Sequence, residues 1–128
     1  VLDIKFSYIQ QHEETGRITD SRLTLQQVEA LTTGSVVYRG YTLVARRQFT
    51  GLLDKSGKEI YEGDIIKYSK YVDHGQWGET VDGGTVQVTW LAERAGFYPF
   101  YVWSSYNDQL KTCEVVGNIY ENPELLTK

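Results

Sequence analysis

Polar and apolar residues along this chain alternate mostly with a period of two. Leu2, Ile4, Phe6 and Tyr8 are separated by Asp3, Lys5 and Ser7, which predicts a strand over Leu2 to Gln10 with one face in a core. Glu13-Glu14-Thr15-Gly16-Arg17 then reads as a turn or hairpin loop, with a glycine able to take positive φ. The period changes at Thr24-Leu25-Gln26-Gln27, which has the form of a capping box, while Leu25, Val28 and Leu31 recur at helical spacing. One short helix is predicted over Leu25 to Thr32, stopped near Gly34. Beyond it, Val36-Val37-Tyr38 and the stretch Tyr41 to Phe49 turn β-branched and aromatic and predict two strands around Gly40. Arg47 falls on the apolar side of that alternation, so a bulge or an edge is expected there.

Thr50 to Lys70 has the clearest local chemistry. In Leu53-Asp54-Lys55-Ser56-Gly57-Lys58 the aspartate can accept hydrogen bonds from amides just ahead of it and the glycine can close the turn, which predicts a tight hairpin. Tyr61-Glu62-Gly63-Asp64 predicts a second turn, after which Ile65-Ile66-Lys67-Tyr68 re-enters a sheet. Val72 to Gly84, studded with glycine, reads as a loop. Gly84 to Trp90 alternates again, with Val86, Val88 and Trp90 on one face. Phe97-Tyr98-Pro99-Phe100-Tyr101-Val102-Trp103 does not alternate, and Pro99 excludes a fully paired central strand, so a covered edge strand is expected. Leu110 to Tyr120 predicts a closing strand, and Asn122-Pro123-Glu124-Leu125-Leu126 a capped helical turn that docks the leucines. The elements sum to a mainly β fold, a β-rich α+β domain, with one short helix near the N-terminal third.

Composition narrows the function classes. The chain has 128 residues, enough for one domain with its own core, and 41% hydrophobic with 23% charged residues is the ordinary balance of a globular protein. A lone cysteine, Cys113, cannot form an intrachain disulfide and points to a reducing compartment, with cytoplasm as the expected location. No apolar run approaches the roughly twenty residues that span a bilayer, and the N-terminal residues lack the pattern of a signal peptide, so no membrane association is expected. A net charge of −4 disfavours a phosphate backbone at long range. A local patch runs the other way: Arg39, Arg46, Arg47, Lys55 and Lys58 are opposed only by Asp54. Arg46 and Arg47 point to opposite faces of a strand, so these five do not automatically form one stripe. They remain the alternative, nucleic-acid-binding reading.

Catalysis finds little support. His12 and His74 are the only histidines, and Asp73, His74, Glu79 and Asp82 show no fixed ligand spacing, so no metal site and no cofactor are expected. Ser104 and Ser105 lack a nucleophile-elbow pattern, Cys113 alternates inward with Val115, and Glu59, Glu62 and Asp64 read as turn and surface residues. The chain is therefore expected not to be an enzyme. The three Trp, ten Tyr and four Phe are more informative, because tyrosine couples apolar area to a polar tip and is enriched at interfaces. Phe97, Tyr98, Phe100, Tyr101, Trp103 and Tyr106 concentrate them in one stretch and make the candidate protein-interaction edge.

Two stretches resemble a known family. Thr50-Gly51-Leu52-Leu53-Asp54-Lys55-Ser56-Gly57-Lys58-Glu59-Ile60-Tyr61-Glu62-Gly63-Asp64-Ile65-Ile66 is similar to the YopX family of bacteriophage and prophage proteins. So is Val115-Val116-Gly117-Asn118-Ile119-Tyr120-Glu121-Asn122-Pro123-Glu124-Leu125. Asp3-Ile4-Lys5-Phe6 resembles the family's opening segment, although the arginine and tryptophan that usually follow are replaced by Ser7, Tyr8 and Ile9. The resemblance implies a partly open, barrel-like single domain over residues 1–128, a phage or prophage origin in the cytoplasm of a bacterial host, and a capacity for homo-oligomerisation. It implies no established activity. The expected function is a phage accessory protein that binds protein, either an unknown phage or host protein or itself.

Overall fold

The computed structural model describes residues 4–31, 36–103 and 109–126. It is mainly β, with short helical pieces between antiparallel strands, and no closed barrel is formed among the described residues. Contacts within the chain gather into two compact units, Val1–Gly51 and Leu52–Lys128.

In the first unit, β1 (Lys5–His12) lies between β2 (Ile18–Thr24) and β3 (Tyr41–Leu53), antiparallel to both. β1 starts later and ends later than the alternation suggests; Leu2 and Asp3 lie outside the described residues. Its one-sided pattern is not what the fold uses, because Ser7, Tyr8, Ile9 and Gln10 are all buried. The polar members of that run are matched instead of exposed. Ser7 Oγ donates to Asp20 Oδ1 at 2.6 Å and accepts from Arg47 Nε at 3.1 Å. The Gln10 amide donates to the Val36 carbonyl at 2.9 Å and accepts from the Tyr38 N–H at 2.8 Å. Those bonds hold Val36 to Tyr38 as an irregular connection, not the strand expected there.

The turn at Glu13–Thr15 leads into β2, which the sequence does not announce: Ile18-Thr19-Asp20-Ser21-Arg22-Leu23-Thr24 has no apolar alternation, and its pairing with β1 makes it a strand. The capping box is present as read. Gln27 N donates to Thr24 Oγ1 at 3.2 Å and Thr24 N to Gln27 Oε1 at 2.8 Å, opening α1 (Leu25–Glu29). α1 stops before Thr32, and the expected stop at Gly34 lies outside the described residues. In β3, the irregularity predicted at Arg47 falls elsewhere: the register against β1 shifts between Ile9 and Gln10, opposite Ala45 and Leu43. Arg47 stays in register opposite Ser7 and is buried.

The second unit begins at Leu52, within the last two residues of β3. The chain turns at Asp54 to Lys58 into β4 (Glu59–Tyr61), turns again at Glu62–Gly63, and continues through β5 (Asp64–Asp73), β6 (Gly78–Gln87), β7 (Thr89–Leu91) and β8 (Gly96–Tyr98). α2 (Gln109–Thr112) and β9 (Glu114–Asn118) follow, then a 3₁₀ turn over Pro123–Leu126. β6, β5 and β9 form one antiparallel sheet with β5 central; β7 and β8 form a separate two-stranded ribbon. The core is Ile60, Ile66, Val88 and Cys113, with Phe97, Phe100, Trp103, Leu110 and Val115 among the side chains packed on it.

Several elements of this unit differ from those the sequence predicts. The loop over Val72 to Gly84 is a β-hairpin, its glycines serving as turn points and as sites under tyrosine rings instead of as signs of irregular chain. The strand expected through Trp90 breaks at Val88, whose N–H donates to the Asp64 carbonyl and whose carbonyl accepts from Gly63 N–H, both at 2.8 Å. Leu110 and Lys111 are helical, so the closing strand starts only at Glu114. At the C-terminal end, Asn122 Oδ1 accepts from Asn118 N–H at 3.3 Å instead of capping the helical turn, and Leu125 and Leu126 stay more than a third exposed.

Asp54 gathers three backbone amides in this unit. Oδ1 accepts from the amides of Ser56 and Lys58, each at 2.9 Å, and Oδ2 accepts from Val115 N–H at 3.0 Å. Burial pushes the carboxyl pKa up, but the amides of Val115, Lys58 and Ser56 and the Lys58 charge outweigh it and hold the group below the usual aspartate value. A lowered folded-state value stabilises the fold above the unfolded pKa, and that stability is lost as pH falls through the folded value. Asp54→Ala, which leaves three amides without their acceptor, is expected to cost about 2–3 kcal/mol at neutral pH in urea unfolding. The difference from the wild type should narrow below about pH 4 as the wild-type carboxyl takes up its proton.

Candidate functional site

The aromatic run splits by side. Phe97, Phe100 and Trp103, spaced by three, turn inward onto the Ile60, Ile66, Val88 and Cys113 core. Phe100 meets Trp103 edge-on at 5.3 Å, and Trp103 meets Tyr68 at 4.9 Å. The spacing of three follows from a turn rather than a strand: past the cis Tyr98–Pro99 bond, Val102 N–H donates to the Pro99 carbonyl at 3.0 Å and Trp103 N–H to the same oxygen at 3.2 Å. The covered edge strand expected over Phe97 to Trp103 is thus only three residues long, in β8, and Pro99 begins a turn instead of interrupting a strand.

The residues between face outward. Tyr98 is 39% exposed, Tyr101 41% and Val102 55%; Tyr98 and Tyr101 lie 6.0 Å apart, ring to ring. Trp90, in β7 opposite Phe97, is also exposed, at 43%, but it shares Phe97's side of the ribbon, 5.0 Å from that ring, and not the side of Tyr98. The alternation predicts Trp90 on one face with Val86 and Val88, and nothing in it singles out Val102. The break at Val88 moves Trp90 to a new ribbon, and no residue pattern before it announces that break. Tyr106 lies outside the described residues.

The basic set is divided. In the first unit, Arg39 and Arg46 are exposed, with the Arg46 guanidinium 5.1 Å from the Phe6 ring centre. Arg47 is 1% exposed and bonds Ser7 and Asp20, so it belongs to the interior and cannot serve a surface patch. In the second unit, Lys55 lies 3.4 Å from Glu114 and Lys58 is exposed.

Other chemical groups are engaged in holding turns. Asp73 and Asp82 each accept from an amide two residues on, Gly75 and Gly84, at 2.8 Å. His74 stacks on Trp77 at 4.2 Å and lies 3.5 Å from Glu79. An open hollow at the β1–β2 turn is lined by His12, Glu13 and Glu14, but His12 Nδ1 accepts from the Glu14 and Thr15 amides, each at 3.2 Å. Among the described residues no group of three or more His, Cys, Asp and Glu is placed to hold a metal ion, and no helix is long and apolar enough to cross a membrane.

Compared with known proteins, residues 3–127 match the family described as YopX protein. The chain belongs to the YopX family. No curated protein matches it. Among solved structures, the crystal structure of protein EF1440 from Enterococcus faecalis is similar with a TM-score of 0.53 at 19% identity, over 98% of this chain and 99% of that one. At that identity the likeness is one of fold.

In this YopX-family chain the two sides of the aromatic turn should separate on mutation. Trp103→Ala is expected to cost about 3 kcal/mol in urea unfolding and Tyr101→Ala under about 1 kcal/mol. Cys113 gives an independent check of the core beneath: it is fully buried, and burial, then the nearby Asp54 charge, push its thiol up to about 11. A disulfide reagent at pH 8 should label it only after denaturant is added; rapid labelling of the native chain would contradict the packing.

Proposed function

We propose that this chain is a phage or prophage accessory protein that works without catalysis, by holding another protein at the outward aromatic face of Tyr98, Tyr101 and Val102. The observation that carries the reading is the split of one aromatic run into an inward anchor and an outward face. Phe97, Phe100 and Trp103 fix the turn on the core, so the exposed rings are held in place before binding and lose little conformational entropy when covered. Pre-positioned tyrosines are among the residues that dominate binding energy at protein interfaces.

The partner's chemistry follows from the unit that presents the face. Leu52–Lys128 carries twelve Asp and Glu against seven Lys and Arg, which favours a phage or host protein with an apolar centre and a basic rim. Membership of the YopX family, whose resemblance implies a phage or prophage source, supports that origin and with it the cytoplasm of a bacterial host. The same charge balance argues against nucleic acid, as does the loss of Arg47 from the surface.

The test is capture from host cells in which the phage is active, using the full chain and its Tyr98→Ala/Tyr101→Ala double variant, followed by calorimetry with the purified partner. The double variant should bind at least about tenfold more weakly while unfolding like the wild type. Equal binding by both chains would overturn the reading. So would tight binding of DNA or RNA at low salt that weakens steeply as salt is raised.

A further inference from the structure

The hairpin of β5 and β6 outruns the sheet that holds it. β9 pairs with β5 only from Asp64 to Lys67, whereas β5 and β6 stay paired to Asp73 and Gly78. The turn fixes which way each backbone group points. His74 N–H donates to the Trp77 carbonyl at 2.8 Å across Gly75-Gln76, with Gly75 at φ +92°, so His74 and Trp77 are a hydrogen-bonded pair. Hydrogen-bonded pairs alternate along an antiparallel ladder. Val72 therefore bonds toward β6, while Tyr71 and Asp73 turn their N–H and C=O away from it. Ser69 confirms the parity from the other end, since its amide and carbonyl are met on that outer side by Thr112 Oγ1, at 3.0 and 3.2 Å.

Thr112 thus fills the first position of this edge, and among the described residues none bonds the backbone of Tyr71 or Asp73 on it. Two donors and two acceptors are left in a row, two residues apart, on an exposed strand. We propose that this edge pairs with the same edge of a second copy of the chain, antiparallel, about a two-fold axis at Val72. The inference stands independently of the aromatic face.

The register is set by what the edge offers. Reversal about Val72 places Tyr71 opposite Asp73 of the second copy and Asp73 opposite its Tyr71, so both open positions are used and each pair exchanges two hydrogen bonds. Val72 meets Val72. Charge is compatible with the reversal: Lys70 falls opposite His74 of the second copy, whose ring lies 3.5 Å from Glu79 on the same face, while Asp73, on the other face, falls opposite Tyr71. A parallel partner of the same sequence would align like with like. The result is a continuous sheet in the order β6-β5-β5-β6, which removes an open edge from each chain.

Sedimentation velocity on the full chain, with concentration raised into about the millimolar range because the contact is small, tests this. The wild type is expected to dimerise. Tyr71→Pro removes an N–H that points outward, which a strand tolerates, and should weaken dimerisation at least about tenfold with an unchanged far-ultraviolet spectrum. Thr80→Pro, opposite Tyr71, places the same ring on the outer edge of β6 and should dimerise as the wild type does. Val72→Lys brings like charges together at the axis without touching the backbone and should leave a monomer, which keeps the test decisive if the proline variant fails to fold. The Tyr98→Ala/Tyr101→Ala variant should dimerise normally. A wild type that stays monomeric overturns the proposal. So does dimerisation lost equally in Thr80→Pro and Tyr71→Pro, or retained in Val72→Lys.

Discussion

Asp54 spans a gap that the backbone ladder cannot close by itself. Its carboxylate takes two amides from its own turn and a third from Val115, while Lys55 N–H donates to the Cys113 carbonyl at 2.9 Å. The β3–β4 turn is thereby joined to the start of β9, sixty-one residues away in the chain. A carboxylate suits this place better than an amide, because it accepts at both oxygens and its charge strengthens all three bonds. Its negative charge then has a second effect, adding to burial in raising the thiol of Cys113 and keeping it a packing residue. A further seam repeats the device with backbone groups: Ile119 N–H donates to the Gly63 carbonyl at 3.0 Å, and Asp64 pairs with Asn118 across β5 and β9. The two stretches that carry the family resemblance are thus in contact with each other through their turn residues.

The parts legible in the sequence are those decided within a few residues. The Thr24–Gln27 capping box, the Asp54 turn with Gly57 at φ +84° and the Glu62–Gly63 turn with Gly63 at φ +85° each depend on local bonds, and each is found where it was read. What was not legible is decided by distant partners. β2 is a strand because β1 lies beside it. Arg47 is interior because Ser7 and Asp20, forty and twenty-seven residues away, supply acceptors that make burial tolerable. Gln10 is buried for the same kind of reason, with a carbonyl and an amide from the Val36–Tyr38 connection matched to its two ends. A polar residue in the interior leaves no mark on the alternation except to break it.

The candidate face shows the same division. That an aromatic cluster occupies Phe97 to Trp103 follows from composition; which rings point outward depends on the turn at Pro99 and the break at Val88, and both are tertiary matters. Inward and outward residues at a spacing of three let one short segment fill a core and furnish a surface at once. The energetic roles are separable, since truncating an inward ring opens a cavity and truncating an outward one does not.

A hairpin that projects past its sheet needs some other source of order if it is to offer a defined edge, because an isolated two-stranded ribbon is only marginally stable in water. Here the glycines supply it together with the tyrosines. A Cβ at Gly83 or Gly78 would run into the rings of Tyr68 and Tyr71, so each ring lies down over a glycine of the facing strand and covers backbone that would otherwise be bare. Trp77 stacked on His74 closes the tip in the same way. The glycines that make residues 72–84 resemble a loop are therefore what lets the rings pack against one layer of sheet. A ribbon ordered by contacts within itself keeps the outer backbone of Tyr71 and Asp73 in one fixed geometry, which is the condition for that edge to recognise another strand.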